Sequence, residues 1–160
     1  MKSIFSLFIL LLIAGSSFCQ TNNPNYNTEL AEKLGGDDYG MKQYVFVILK
    51  SGANTSDDKE AMNTAFAGHM KNIGRLAEEG KLVVAGPMEK NDKSYRGIFI
   101  LNVTTLEEAE ALLASDPAIA ENYLAAETYL WYGSAALPEY LEAHDKIWSK
   151  GIWIETSFNL

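Results

Sequence analysis

The chain has 160 residues, 48% of them hydrophobic and 21% charged, which suits one folded domain with extensions and excludes global disorder. Thirteen Lys and Arg against 21 Asp and Glu give a net charge of −8, and only Arg75 and Arg96 are arginines. That balance leaves no basic stripe for nucleic acid or an anionic membrane surface, so neither is expected as a partner.

The chain opens with MKSIFSLFILLLIAGSSFCQ. Lys2 supplies a charged start, Ile4 to Ile13 an apolar stretch, and Ser17-Phe18-Cys19 a small-residue site before Gln20. This layout predicts a secretory signal peptide over residues 1–19 and an exported protein, periplasmic or secreted. The apolar run is too short for a comfortable membrane span, so no membrane association is expected once the segment is removed. An uncleaved anchor and a lipid attached at Cys19 are the alternatives, and Phe18 suits the second poorly. Cys19 is the only cysteine, so cleavage after it leaves no thiol, disulfide or cysteine-ligated metal. Lys2 is lost with it, leaving 12 basic against 21 acidic residues, a net −9.

Residues 20–40, rich in Asn, Gly and Asp, read as a flexible linker. The folded unit is expected over 41–134. Its first strand is QYVFVILK, starting at Gln43 and apolar enough to be central in a sheet. A helix follows, with Thr55, Ser56 and Asp57 as candidate N-caps and Gly80 as its stop. Met62, Phe66, Ile73 and Leu76 fall on one face of that helix, and His69 sits within their stripe, toward the sheet. KLVVAGPM is a second strand and YRGIFILNV, from Tyr95, a third. Thr105 and Glu108 form a capping box for a second helix, whose apolar face is Leu106, Ala109, Leu112 and Leu113. Asp116 and Pro117 suit the start of a short helix, and AETYLWYG, from Ala126, is a fourth strand.

The order strand, helix, strand, strand, helix, strand is the ferredoxin-like α+β plan. Two helices cover one face of such a sheet, and a second copy of the chain is expected on the other, making a homodimeric α/β barrel. Residues 135–160 extend past the unit: a helix from Pro138 to Gly151 and a short strand or packed tail, IWIETSF.

Two residue pairs carry the candidate chemistry. His69 is one of two histidines, and an imidazole on a sheet-facing stripe is a usable general base once its tautomer is fixed. Asp116 is the best partner in type; the two could reach the sheet's edge from opposite helices. Against this stands the plainer reading of a hydrogen-bonded core histidine and an ordinary Asp-Pro helix cap. Gly86-Pro87 ends the second strand with no side chain and no N–H, as the wall of a substrate pocket or simply as a strand end. His144, beside Asp145 and flanked by Leu141 and Trp148, reads as helix packing. No metal is expected, because the two histidines lack ligand spacing and the mature chain has no cysteine. Phosphate-loop and nucleophile-elbow motifs are absent, so no nucleotide cofactor or serine hydrolase is implied.

GHMKNIGRLAEEGKLVVAGPM, Gly97, EEAEALLASDPAIAENYL and ETYLWY together resemble the YCII-related (YciI-like) family, over about Gln43 to Trp131. The resemblance implies a dimer of ferredoxin-like subunits with a proposed histidine and aspartate active site, here His69 and Asp116. It also implies that Gly86 and Pro87 line the same cleft. Family members commonly carry an aromatic residue after Asp-Pro where this chain has Ala118, which implies a differently shaped pocket. One branch resembles dehydrochlorinases of hydroxylated aromatic rings.

Two functions follow as expectations. The first is a lyase or isomerase without metal or cofactor, in which His69 moves a proton on a small, cyclic substrate and Asp116 orients it. The second is a non-catalytic module that binds a small ligand or a partner in the same cleft. A His69–Asp116 separation beyond hydrogen-bond reach, with no open cleft beside them, favours the second. A third arrangement has the C-terminal extension closing the cleft, with Trp148 and Trp153 over His69.

Overall fold

The computed structural model describes residues 23–149. The expected signal peptide, Gly151 and the IWIETSF tail lie outside the described residues. Four strands form one antiparallel sheet in the order β2-β3-β1-β4, from β1 (Met41–Ser51), β2 (Leu82–Pro87), β3 (Tyr95–Leu101) and β4 (Leu124–Ser134). Helices α2 (Lys59–Glu78) and α3 (Leu106–Ala114) return the chain between β1 and β2 and between β3 and β4. This is the expected ferredoxin-like α+β fold.

β1 is central because it is apolar on both faces, as a strand with two neighbours must be. Val45, Val47 and Leu49 alternate toward the helices and pair with Leu101, Phe99 and Gly97 of β3. Ile73 and Leu76 of α2 and Ala109 and Leu113 of α3 complete that core. Each Val, Leu, Ile or Phe side chain among these contributes roughly 1.5–3 kcal/mol by leaving water. The other face presents Phe46, Ile48, Ile98 and Ile100, half-buried, with Tyr129 49% and Trp131 36% exposed.

Caps set the helix ends. The N-cap of α2 is Asp58, one residue past the expected candidates; its carboxylate accepts from Glu60 N and Ala61 N. Ser56 is used one step earlier, its Oγ accepting from Asp58 N. Gly80 takes the left-handed conformation expected of a helix stop, with φ 67°. Thr105 caps α3 as expected.

Two segments differ from expectation. Within the stretch read as linker lies α1 (Thr28–Leu34), capped by Asn27 at one end and by Gly35 in the left-handed region at the other. It has no buried residue, so no apolar stripe marks it in the sequence. Asp37, which follows, accepts from the backbone of Tyr39 and Met41 and from the Tyr132 hydroxyl on β4. After β4 the expected long helix is a 3-10 turn, Leu137–Tyr140, followed by α5 (Leu141–His144). Tyr140 fixes this segment by donating its hydroxyl to the Val83 carbonyl on β2. His144 meets the Tyr140 ring edge-on at 6.2 Å and is only half-buried. Trp148 is 48% exposed, so it is not buried over His69, and Trp153 lies outside the described residues.

Candidate active site

Asp116 closes the turn between α3 and α4 (Pro117–Ala120) and is fully buried. Both carboxylate oxygens are engaged. Oδ1 accepts from Ala118 N at 3.0 Å and Ile119 N at 3.4 Å, which caps α4, while Pro117 needs no N–H at the first position. Oδ2 accepts from His69 Nδ1 at 2.7 Å and from Asn72 Nδ2 at 3.3 Å. One carboxylate therefore starts a helix with one oxygen and holds an imidazole with the other.

His69 and Asn72 reach it from α2, three residues apart and hence on one face. The imidazole is 7% exposed. It stacks on Phe99 of β3, with centroids 5.9 Å apart and planes at 22°, and meets Phe66 edge-on at 6.1 Å. Nδ1 is the one ring nitrogen with a hydrogen-bond partner among the described residues. A carboxylate on Nδ1 selects the tautomer with its proton on Nδ1 and its lone pair on Nε2. The arrangement can accept a proton at Nε2 and stabilise the resulting imidazolium.

The network continues outward along α2. Asn72 Oδ1 accepts from Arg75 Nη2 at 2.7 Å, and Arg75 Nη1 reaches both carboxylate oxygens of Glu79, at 2.8 and 3.0 Å. Arg75 Nη2 also donates to Ser115 Oγ, which in turn donates to the Leu112 carbonyl. Asn72 was legible only as a polar residue inside an apolar stripe, three after His69.

Gly86 and Pro87 end β2, an edge strand. Ala85 pairs with Phe99, Gly86 with Ile98 and Pro87 with Gly97. Alternation puts Ala85 and Pro87 on the side of the sheet that carries His69, and Gly86 on the opposite side. Space beside Gly86 is real, since a Cβ built there meets nothing within 4 Å, but it opens away from the helices. On the His69 side the missing side chain is that of Gly97, where a Cβ would stand 2.7 Å from the Gly86 carbonyl oxygen. Ala118, on α4, is fully buried against the core, so its small size shapes the packing there. The larger surface concavity described, about 510 Å³, lies elsewhere, between α1 and the residues around Gly40 and Ala135. Among the described residues, no group of three or more His, Cys, Asp or Glu could hold a metal ion.

The family model described as the YCII-related domain matches residues 43–130, more than half of the chain. The chain belongs to the YCII-related family. The match covers α2, β2 and the α3–α4 turn, so every candidate residue of this YCII-related protein falls inside it. No curated protein matches the chain. A solved structure similar to it is 5-chloro-2-hydroxyhydroquinone dehydrochlorinase (TftG) from Burkholderia phenoliruptrix AC1100, in complex with 2,5-dihydroxybenzoquinone. The two share 20% sequence identity, with a TM-score of 0.37, over 54% of this chain and 90% of that one.

Proposed function

We propose that this YCII-related protein is a lyase or isomerase acting on a small, cyclic, hydroxylated substrate, with His69 as general base and Asp116 as its orienting partner. Nε2 takes a proton from the substrate, and the imidazolium so formed is held by the Asp116 carboxylate. It then returns that proton at another position, or to a group that departs. The step needs no metal or cofactor, because the imidazole itself accepts the proton. The observation that carries this reading is the 2.7 Å contact between Nδ1 and a fully buried carboxylate, which leaves Nε2 as the free basic nitrogen. Ala85 and Pro87, on the same side of the sheet, supply apolar wall, and Gly86 contributes its backbone.

An exported homodimer completes the proposal. The half-buried apolar residues of the outer sheet face call for a cover, and a second copy of the chain supplies one. Export is tested by the N-terminus of the protein recovered outside the cytoplasm, expected at Gln20.

Proton transfer is tested by incubating the protein in D2O with hydroxylated aromatic and cyclic enol compounds and following deuterium incorporation at carbon by NMR. Incorporation into at least one compound is expected, lost in His69→Ala. The 7% exposure of His69 favours a second reading, a ligand-binding module. That reading takes over if compounds shift the His69 resonances while no compound exchanges.

A further inference from the structure

We infer that Asn72 is a positioning residue of this site, one that carries the influence of the Arg75 cation to the carboxylate holding His69. The inference rests on the proton-transfer reading of His69 and Asp116.

Asn72 is 7% exposed, and its amide spans two groups of opposite charge. Nδ2 faces Asp116 Oδ2 at 3.3 Å and Oδ1 faces Arg75 Nη2 at 2.7 Å. Only one amide orientation satisfies both, since a flip would set NH2 against the guanidinium and oxygen against the carboxylate. Ser115 Oγ also lies 3.2 Å from Asn72 Oδ1, a longer contact than the 2.7 Å from Arg75 Nη2. Ser115 has a single hydroxyl proton, spent on the Leu112 carbonyl at 2.6 Å, so its oxygen is an acceptor for Arg75.

The consequence is electronic as well as steric. A guanidinium on Oδ1 polarises the amide and makes Nδ2–H a stronger donor. That donor acts on Oδ2, the same oxygen that takes the His69 proton, and draws charge from it. Asp116 then holds the imidazole in place while stabilising imidazolium less than an unshared carboxylate would. Glu79 binds the outer side of Arg75 and fixes it in position. The groups facing His69 are Asp116 from the α3–α4 turn, Phe66 from α2 and Phe99 from β3; beyond Asp116 come Asn72, then Arg75, then Glu79, each one hydrogen bond further out.

The test is the His69 titration, read from long-range 1H–15N spectra of the imidazole in wild type, Asn72→Ala, Arg75→Met and the double variant, with Asp116→Asn as control. Asn72→Ala is expected to raise the His69 titration midpoint, because Oδ2 then loses its second donor. Arg75→Met is expected to raise it by less, and to add nothing in the Asn72→Ala background, because the influence travels through the amide. A purely structural Asn72 would change the melting temperature and leave the midpoint alone. Unmoved midpoints in Asn72→Ala and Arg75→Met, with a clear shift in Asp116→Asn, overturn the inference and leave the dyad standing. No shift in Asp116→Asn removes the dyad reading itself. Should Asn72→Ala fail to fold, Arg75→Met decides alone, since its side chain lies at the surface; no shift there overturns the inference.

Discussion

Gly68 on α2 and Pro117 on α4 meet so closely that a Cβ on Gly68 would lie 2.6 Å from the proline ring. Each is the chain neighbour of a dyad residue, Gly68 of His69 and Pro117 of Asp116. The absent side chain is what lets α2 approach the α3–α4 turn to hydrogen-bonding distance.

Gly68→Ala should therefore separate the two elements. A proline ring cannot swing aside, so the overpacking cost of about 1–3 kcal/mol outweighs the roughly 1 kcal/mol that alanine gains in a helix. Gly74→Ala, on the same helix with open space around its Cβ, should stabilise by about 0.5–1 kcal/mol. Urea unfolding of both variants checks the contrast, and equal effects would sink the account.

Asp116 has two duties that substitution can separate. Asp116→Ala removes the α4 cap and leaves the buried His69 Nδ1–H and Asn72 amide without an acceptor, an expected loss of about 3 kcal/mol. Asparagine can keep the cap through its carbonyl oxygen but sets NH2 against both His69 Nδ1–H and the Asn72 amide. Asp116→Asn should thus cost less stability than alanine and drive the neutral imidazole to the Nε2–H tautomer. The 15N shifts of the two ring nitrogens report which form is present, and an unchanged tautomer would contradict the geometry.

At the end of β2, Gly97→Ala drives a methyl against the Gly86 carbonyl oxygen, which is backbone and cannot rotate away. A loss of roughly 1–3 kcal/mol or more is expected from chemical denaturation. Gly86→Ala, with open space at its Cβ, should be close to neutral by the same assay. If Gly86→Ala proves the more damaging of the two, the strand parity described above is wrong.

The contact between Tyr132 and Asp37 makes a prediction at high pH. The Asp37 carboxylate beside the phenol pushes the Tyr132 pKa up to about 12, from 10.0, and the same hydrogen bond holds Asp37 below its usual range. A raised folded-state pKa means that the folded chain keeps a proton the unfolded chain gives up. This contribution is fully present below pH 10 and is lost as pH rises toward 12. Asp37 acts in the opposite sense, its contribution being present above its unfolded value and lost in acid. In ultraviolet titration, one tyrosine should ionise near 12 in the wild type and return toward 10 in Asp37→Asn. Salt weakens the effect, because the pair is exposed.

The proposed dimer predicts that the wild-type chain sediments as two copies at micromolar concentration. Phe46→Glu together with Ile98→Glu should yield a folded monomer, with circular dichroism as the fold check. A monomeric wild type would leave the outer sheet face to another partner.

Much of this architecture was legible in the sequence, because β1, α2 and α3 have strong periodicity and Thr105 and Asp116 are cap residues that announce the helices they start. What was missed has local physical causes. Helix α1 buries nothing, so its caps are its one signal. The irregular pairing between Leu82 and Val84 breaks the simple alternation of β2, and that is why the side of the sheet to which Gly86 opens was hidden. Asn72 was not singled out, because the carboxylate that gives it a role, Asp116, lies 44 residues away in sequence.

The double use of Asp116 binds inheritance to folding. A descendant that did not need the proposed reaction would still need an acceptor to begin α4, and would keep the aspartate for that reason alone. Its histidine partner would then drift under weaker selection. The first trace of such a loss would be an altered residue at position 69 above an unchanged Asp-Pro step.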